Sequence, residues 1–535
     1  MQFKESEGLV QDLFAFTKYL KYNLMEQMGV GNRISFPGSQ SFSVSSLAQP
    51  QNIKGGRKMS KPNNALDRFF GLTERNTTVK AEMLAGLTTF IAMAYILILN
   101  PLYLSDPYGI PSFAHYDVVM QGKIYNGVFI GTCLGAFLGT MLCAVYAKVP
   151  YAQAPGMGLN AFFAYTVCLS MGYTYQQALV VVLISGLFFV FISIVGIREA
   201  IVKSIPDSVK NAITPGIGLF ITILGLKSGG VVVNNDATLV GLVDFAQWQA
   251  NGGDTAALMP ALLCLIGLGV IGFLVAKNVS GAVVIGILVT TIIGIPMGVT
   301  QISELTFDVI TPWKDFFEVS FLKLDFAGMF AVRDGSVGQT ILTVVMLVIS
   351  FSLVNMFDSI GTLLGAAKQA GLIDKEGNAI RMREALMADA ISTAAGALVG
   401  TSTVTTMVES ASGIAAGGRT GLTSLTTACL FLCSVVLAPI VSLIPSAATA
   451  PVLVYVGVLM LSNVSDCDFS DMTNAIPAFC TIVFMPFTYS IANGVAFGLI
   501  FHCILKALCG KFKEIKPLCL IVALVFLARY AFMSM

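Results

Sequence analysis

Apolar segments about twenty residues long, separated by short polar connections, recur along most of this chain. A segment of that length forms an α-helix long enough to cross the hydrocarbon core of a bilayer, which is about 30 Å thick. The first seven lie at residues 82–104, 124–147, 152–169, 177–197, 211–227, 257–276 and 281–300. Seven more lie at 340–367, 385–400, 404–416, 420–444, 447–463, 473–489 and 490–509. The pattern predicts an all-α polytopic membrane protein with about 14 transmembrane segments.

The two ends and the middle of the chain depart from this pattern. Residues 1–58 are polar and rich in Ser, Gln and Gly, without the apolar core of a signal peptide. We expect them to be a disordered or non-native extension ahead of Met59. Residues 301–339 are polar and acidic and predict an extracellular loop. The C-terminal tail 511–535 contains an apolar stretch at 517–534, which is either a fifteenth span or an interfacial helix.

Composition agrees with a membrane protein. Of 535 residues, 56% are hydrophobic and 11% are charged, whereas about 25% of the residues of a soluble protein are charged. The net charge of +1 gives no support for a nucleic-acid partner. The eleven cysteines are scattered, and the two histidines, His115 and His502, are far apart. These residues predict neither a metal site nor a disulfide framework.

The distribution of basic residues predicts a cytoplasmic N-terminus. With that orientation, fourteen Lys and Arg residues of the connections lie inside and five lie outside, as the positive-inside rule requires. The five outside are Lys123, Lys227, Lys314, Lys323 and Arg333.

Seven spans per half place the two halves in opposite orientations. The sequence SIPDSVKNAITPGIGLFITILGL (204–226) resembles SLIPSAATAPVLVYVGVLMLS (442–462), since each has Ile-Pro, a second Pro and then an apolar helix. Inverted repeats of this kind build many secondary transporters, in which the substrate site lies between broken helices at the bilayer midplane. We therefore predict two inverted 7-span repeats.

The third span of each half is short and interrupted. The first is VPYAQAPGMGLNAFFAYTVCL (149–169), where Pro155 lacks a backbone N–H and Gly156 allows close approach. The second, TSTVTTMVESASGIAAGGRTG (401–421), begins with a β-branched run. Irregular backbone at membrane depth occurs where protein or a cavity satisfies it. The start of the half-helix that follows can hold a polar ligand through its free N–H groups.

Intramembrane carboxylates indicate where such a ligand binds. Glu409, Asp358 and Asp389 all lie within predicted spans, and no Lys or Arg lies near the centre of the spans that carry Glu409 and Asp358. A charged acid at the bilayer centre costs about 2.5–3.5 kcal/mol on insertion scales, so it faces a cavity or a partner. Each carboxyl group either binds a ligand and a proton or joins helices through hydrogen bonds. The second alternative applies most to Asp389, which lies nearer the interface, and also to Asn160 in span 3.

Four motifs resemble those of the AzgA-like purine permeases, a branch of the nucleobase–ascorbate (xanthine/uracil) transporter superfamily. They are TTVKAEMLAGLTTFIAMAYILILNP (77–101), APGMGLNAFFAYT (154–166), NMFDSIGTLLGAAKQAGL (355–372) and GTSTVTTMVESASGIAAGGRTGLT (400–423). The resemblance covers roughly residues 65–510. It implies short strands in spans 3 and 10, and a division into a core domain and a gate domain. The core domain would comprise residues 77–204 and 340–444, and the gate domain residues 205–300 and 445–510.

The resemblance also implies the substrate site. Glu409 and Asp358 correspond to the family's substrate acids and would also couple transport to protons. Asn160 corresponds to its polar residue on span 3. The backbone around Gly158 and Ser410 would complete the site. The motifs MAYILILNP and NMFDSIGT resemble the adenine, guanine and hypoxanthine branch.

The sequence therefore predicts a purine importer of the plasma (bacterial inner) membrane that uses proton symport and is not an enzyme. The proton is the coupling ion, no cofactor is implied, and relatives of this fold imply a homodimer in membrane lipid. Aromatic side chains should cover the planar base, with Phe162, Phe163, Phe351 and Phe357 as candidates. A uracil or xanthine permease is the alternative within the superfamily. An inorganic-anion exchanger of related fold is a further alternative, although its site should carry Lys or Arg rather than two acids.

Overall fold

The structure of this chain, a computed structural model, consists mainly of α-helices. It describes residues 65–105, 118–195, 205–235, 239–246, 258–277, 279, 281–300, 310–331, 337–372, 380–438, 443–488 and 490–532. The expectation for residues 1–58 lies outside the described residues.

The helices of the first half follow the predicted spans to within a few residues. They are α1 (Ala65–Phe70), α2 (Val79–Met93), α3 (Ile96–Ser105), α4 (Val118–Leu142), α5 (Met157–Ala161), α6 (Tyr175–Val195), α7 (Asp207–Ser228), α8 (Met259–Ala276) and α9 (Ala282–Gly294). Two of them continue as π-helix, α4 through Cys143–Ala147 and α5 through Phe162–Ser170. The first span is made of α2 and α3, which are separated by Ala94 and Tyr95.

The helices of the second half repeat the same order of long and short segments. They are α10 (Ile310–Asp315), α11 (Phe326–Met329), α12 (Val337–Ala370), α13 (Met382–Leu398), α14 (Ser410–Ala415), α15 (Gly421–Cys433), α16 (Ser446–Leu461), α17 (Met472–Phe487), α18 (Ile491–Leu508) and α19 (Pro517–Phe532). Short 3₁₀ turns follow α15, α16 and α18, at Ser434–Leu437, Ser462–Asp466 and Phe512–Glu514.

Among the described residues, seven helices are at least 18 residues long and apolar enough to cross a membrane, and six shorter apolar helices have 10–17 residues. Many of their large apolar side chains point outward, including Phe191, Phe273 and Ile292, which are 60%, 63% and 62% exposed. Apolar surface on that scale is the expected lipid-facing surface of a spanning helix. The prediction of a polytopic helical membrane protein is confirmed.

Strands are few and short. β1 (Gln153–Pro155) pairs with β4 (Val404–Thr406), which confirms the strands predicted in spans 3 and 10. A second pair was not predicted: β2 (Val232–Asn235) and β3 (Leu239–Leu242) form an antiparallel hairpin after α7. The run VVVNNDATLVGL accounts for it, because β-branched residues flank an Asn/Asp segment of the type that forms turns.

The helices pack in two groups. The first helix group contains α2 to α6 and α12 to α15, and the second contains α7, α8, α9, α16, α17 and α18. Glycines allow close contacts within the second group; a Cβ on Gly225 of α7 would lie 2.8 Å from Leu453 Cβ of α16. The groups touch where α5 meets α7, where α3 meets α16 and where α2 meets α9. The boundaries predicted for the core and gate domains stay a prediction.

The segment predicted as a polar loop at 301–339 contains helical structure in its described part. A π-helical turn at Phe316–Ser320 extends α10, and Phe316 is 1% exposed. Its ring packs against Phe321 and Trp313, with centroids 5.5 Å and 5.9 Å away. Aromatic residues within the segment therefore fold it against α4 rather than leaving it in solvent.

The C-terminal helix α19 packs along α18 in the antiparallel direction. Near one end Cys503 and Cys519 have their sulfur atoms 3.9 Å apart, and near the other Tyr530 donates a 2.9 Å hydrogen bond to Asn493. Contacts at both ends mean that α19 lies beside the last predicted span along most of its length.

Candidate functional site

The centre of the site is the two-stranded pair of β1 and β4. Its register places Gln153 opposite Thr406 and Pro155 opposite Val404. The ladder continues beyond the strands, since Gly156 N donates to Thr403 O at 3.1 Å and Met407 N donates to Ala152 O at 3.0 Å. All six strand residues are buried. The pairing satisfies backbone groups that neither broken span could satisfy alone.

Gly156 is required where the first strand ends. A Cβ at this position would lie 2.7 Å from Thr405 Cγ2 of the opposite strand, which is well inside van der Waals contact. The chain is extended at Gly156, and α5 begins at the next residue. On the other side, β4 is followed by Met407, Val408 and Glu409, and α14 begins at Ser410. The starts of both half-helices therefore lie close to the strand pair and carry partial positive charge. At α14 the N–H groups of Ser410, Ala411 and Ser412 already donate to backbone carbonyls of the preceding turn.

Glu409 occupies the position immediately before α14. Its side chain is half-buried and makes no capping bond to its own helix. Instead, Oε1 accepts a 2.5 Å hydrogen bond from the hydroxyl of Tyr95. Tyr95 is 1% exposed and lies at the break between α2 and α3. The contact joins span 1 to span 10.

Asp358 lies on α12, beside the other end of the strand pair. Its Oδ2 lies 3.9 Å from the position that a Cβ on Gly156 would occupy, and Gly156 follows β1 at the end opposite to that from which β4 leads to Glu409. The carboxyl group is half-buried and interacts electrostatically with Glu409 and Asp389. The two acids therefore lie beside the two ends of the short strand pair, and both can accept hydrogen bonds from N–H groups of a ligand.

Asp389 has a different position. It is fully buried on α13 and accepts hydrogen bonds from Ser359 Oγ at 2.6 Å and from the backbone N of Thr406 at 2.9 Å. Ser359 also lies 2.8 Å from the hydroxyl of Thr405. These bonds attach β4 to α12 and α13. They agree with the alternative favoured for Asp389 in the sequence analysis, in which the carboxyl group joins helices through hydrogen bonds.

Asn160 is also fully buried, in a polar network that joins spans 1, 2, 3 and 10. Its Nδ2 donates to Asn100 Oδ1 at 2.7 Å, and its Oδ1 accepts from Ser402 Oγ. Asn100 in turn donates to Thr132 at 2.6 Å and to Thr401 at 2.8 Å. In this state Asn160 holds span 3 against spans 1 and 10, and both ends of its amide are engaged by protein.

Ser410 and Gly158 lie on opposite sides of the strand pair. Ser410 is fully buried, and its hydroxyl accepts a 3.0 Å bond from Ala152 N. Gly158 faces the second helix group: a Cβ there would lie 2.8 Å from Ile217 Cγ2 on α7 and 3.8 Å from Ile491 Cδ1 on α18. Gly158 therefore lies at the contact between the two helix groups.

The predicted aromatic residues pack near the start of the first half-helix. Phe162 and Phe351 are 1% and 0% exposed, with ring centroids 4.8 Å apart in an edge-to-face arrangement. Phe163 packs against Tyr175 at 6.2 Å. The side chain of Phe357 lies outside the described residues.

Two residues of this region were missed in the sequence analysis. Tyr95 lies in the motif MAYILILNP. The signal that could have identified it is a tyrosine inside an apolar span. Glu82 is fully buried, and its carboxylate accepts bonds from the hydroxyls of Thr420 and Thr423 at 2.8 and 2.6 Å. It also accepts from the backbone N of Arg419 and of Thr420, at 2.9 and 3.1 Å. Glu82 therefore caps the start of α15 from span 1.

Comparison with known proteins gives one family match and several relatives. This chain aligns with nearly the whole length of each relative named below. The Xan_ur_permease model, described as "Permease family", matches residues 80–497. The chain is 41% identical over 472 residues to "Putative permease MJ0326" of Methanocaldococcus jannaschii, covering 88% of this chain and 99% of that protein. It is 37% identical to "Adenine permease AdeP" of Escherichia coli, covering 88% and 96%. It is 38% identical to "Guanine/hypoxanthine permease PbuG" of Bacillus subtilis, covering 87% and 99%.

Solved structures share the fold at low sequence identity. The transmembrane domain of the cyanobacterial bicarbonate transporter BicA superposes with a TM-score of 0.52 and 16% identity, covering 78% of this chain and 97% of that one. The overall structure of SLC26A9 gives a TM-score of 0.55 and 12% identity, covering 83% and 68%. At this level of identity the superpositions show that the fold is shared.

Proposed function

We propose that this chain, which belongs to the Xan_ur_permease family of membrane permeases, imports the purine nucleobases adenine, guanine and hypoxanthine by proton symport. Its relatives at 37–38% identity are named as adenine and as guanine/hypoxanthine permeases. The observation that carries the proposal is the placement of Glu409 and Asp358 beside the β1–β4 pair, close enough for their charges to interact.

Purine nucleobases are planar, neutral at physiological pH, and carry ring N–H donors beside ring N acceptors. Carboxylates of Glu409 and Asp358 accept from such donors, and free N–H groups at the start of a half-helix donate to ring nitrogens. The acidic pair opposes the alternative of an inorganic-anion exchanger, because a fixed carboxylate repels an anion. We therefore propose Glu409, Asp358, Asn160, Gly158 and Ser410 as the substrate-binding set.

Coupling to a proton would use the same carboxyl groups. A proton bound at Glu409 or Asp358 neutralises an acid that is costly to carry through the bilayer. Cotransport of one proton with a neutral base gains about 2.3 kcal/mol for each 100 mV of membrane potential. That energy corresponds to roughly fifty-fold accumulation of the base. Uptake should therefore rise at acidic external pH.

Transport would proceed by movement of the core domain, with the strand pair and both half-helices, against the gate domain. Two observations support this division: the helices pack in two groups, and Gly158 contacts α7 and α18 across their boundary. We place the protein in the bacterial inner membrane with a cytoplasmic N-terminus and propose that it forms a homodimer.

The test is uptake of radiolabelled adenine, guanine and hypoxanthine into a host that lacks its own nucleobase permeases. Uptake would be measured at external pH 5.5 and 7.5, with and without a proton uncoupler, and with membrane abundance followed by immunoblot. Accumulation that rises at acidic pH and collapses with the uncoupler is expected. Competition by excess uracil and xanthine examines the alternative specificity. A protein present in the membrane that carries no purine would refute the proposal.

A further inference from the structure

The hydrogen bond between Tyr95 and Glu409 joins span 1 to span 10. Membership of the permease family does not by itself imply this contact. The phenol comes from the short break between α2 and α3, and the acid comes from the position before α14. Their separation in sequence is 314 residues, yet the O–O distance is 2.5 Å. A bond this short is typical of a hydroxyl that donates to a charged oxygen.

The location of Tyr95 explains how its hydroxyl can reach the acid. Helical hydrogen bonding is interrupted at Ala94 and Tyr95, and Leu97 N and Ile98 N make short turn bonds to Ala94 O and Tyr95 O, at 3.2 and 3.1 Å. The ring is 1% exposed and therefore has little freedom to turn away.

The hydrogen bond from Tyr95 also limits the orientation of the Glu409 carboxyl group. A carboxylate has two oxygens that accept hydrogen bonds, and the phenol binds Oε1. The side chain of Glu409 makes no bond to the N–H groups of α14. Its Oε1 is therefore held by Tyr95 of span 1 rather than by a capping bond to α14.

We propose that Tyr95 is a positioning residue for substrate binding, which holds Oε1 of Glu409 and directs Oε2 toward an N–H group of the purine. The proposal rests on the proposed function, since it assumes that Glu409 receives the base. Loss of the hydroxyl would leave Glu409 free to adopt several rotamers, and binding would become weaker while the later movement of the core is unchanged.

Three titratable groups face Glu409 from separate elements among the described residues. They are Tyr95 at the break in span 1, Asp358 on α12 and Tyr455 on α16. Of these, Tyr95 donates the hydrogen bond to Glu409. A hydrogen bond to a titrating acid influences its binding of a proton, so removal of the phenol should change the pH dependence of uptake.

The experiment compares Tyr95→Phe with Tyr103→Phe. Tyr103 lies on α3 of the same span, is 4% exposed, and packs edge-on to Tyr165 at a centroid distance of 5.9 Å. Both substitutions remove one buried hydroxyl from span 1, and only the first removes the bond to Glu409. KM and maximal rate of purine uptake would be measured across external pH 5–8, with membrane abundance as the control.

For Tyr95→Phe we expect KM to rise about tenfold to a hundredfold, which is the range for a lost hydrogen bond to a charged group. The maximal rate should change less than threefold, and the pH profile of uptake should shift. Tyr103→Phe should leave KM and the pH profile unchanged. Unchanged KM and pH profile in Tyr95→Phe would overturn the proposal, as would equal effects of both substitutions.

Two further outcomes keep the test decisive. If Tyr95→Phe protein is missing from the membrane, 3-fluorotyrosine placed at position 95 by codon suppression preserves the ring and makes the hydroxyl a stronger donor. The pH profile of uptake should then differ from that of the wild type, and an unchanged profile would overturn the proposal. Wild-type protein that neither binds nor carries purine would overturn the proposed function itself.

Discussion

Replacing Gly158 by alanine adds one methyl group at the contact between the two helix groups. Gly158 is the second residue of α5, the half-helix that follows β1. An added Cβ would lie 2.8 Å from Ile217 Cγ2 of α7, and 3.8 Å from Ile491 Cδ1 of α18. Carbon atoms in favourable contact are about 3.5–4.0 Å apart. Either α5 or α7 must therefore move by roughly 1 Å.

The size of the effect follows from the packing on both sides. Ile217 is 2% exposed and Ile491 is 0% exposed, so neither side chain has space into which it can turn. An extra methyl group in such a place costs typically about 1–3 kcal/mol. Since about 1.4 kcal/mol corresponds to a factor of ten, we expect the maximal rate of uptake to fall roughly fivefold to a hundredfold.

The assay is purine uptake by Gly158→Ala together with a rescue and a control. Ile217→Leu removes the β-branched methyl group that the new Cβ meets and conserves side-chain volume, so the double variant should regain uptake to within about threefold of wild type. Gly269→Ala is the control, because a Cβ at Gly269 of α8 would meet no atom within 4 Å. That variant should carry purine normally.

Normal uptake by Gly158→Ala, with protein present in the membrane, would refute the reasoning that this contact is tight. Loss of uptake that Ile217→Leu does not restore would refute the assignment of the effect to α7. The second result would favour instead a direct role of the Gly158 backbone in substrate binding, as the sequence predicted.

Three other substitutions have defined outcomes. Glu409→Gln keeps an acceptor oxygen but no longer titrates, so uptake should fall at least about tenfold while the protein is still present in the membrane. Normal uptake with unchanged KM would show that Glu409 is not part of the site. Asp358→Asn should alter KM or the pH dependence of uptake, and a variant with both unchanged would contradict its role. Glu82→Ala leaves donors of Thr420 and Thr423 unpaired inside the protein, at about 1–3 kcal/mol for each. The apparent melting temperature of the purified protein should fall, whereas an unchanged value would show that water replaces the carboxylate.

The spans and their interruptions could be predicted because the signals are local. Apolar runs of about twenty residues can be recognised without knowledge of neighbouring spans. The same holds for the breaks, since Pro155 and Gly156 exclude a continuous helix and the β-branched run before Glu409 favours a strand. These features placed β1 and β4 correctly.

The partners of the polar side chains could not be predicted, because they come from distant spans. Asn160 is bonded to Asn100 and Ser402, which are 60 and 242 residues away. Glu82 accepts from Thr423, which is 341 residues away. The β2–β3 hairpin was missed for another reason, since two four-residue strands with mostly exposed side chains between two predicted spans carry little signal.

Pairing of β1 with β4 also constrains how the protein is synthesised. Thr406 emerges from the ribosome about 250 residues after Gln153, its partner in the ladder, a delay of roughly 12 to 50 seconds at about 5–20 residues per second. During that interval the backbone of β1 has no partner strand, and lipid cannot supply one. Span 3 must therefore stay beside the translocon or in contact with water until span 10 has been synthesised. Membrane insertion of the first repeat is complete only when the second repeat supplies β4.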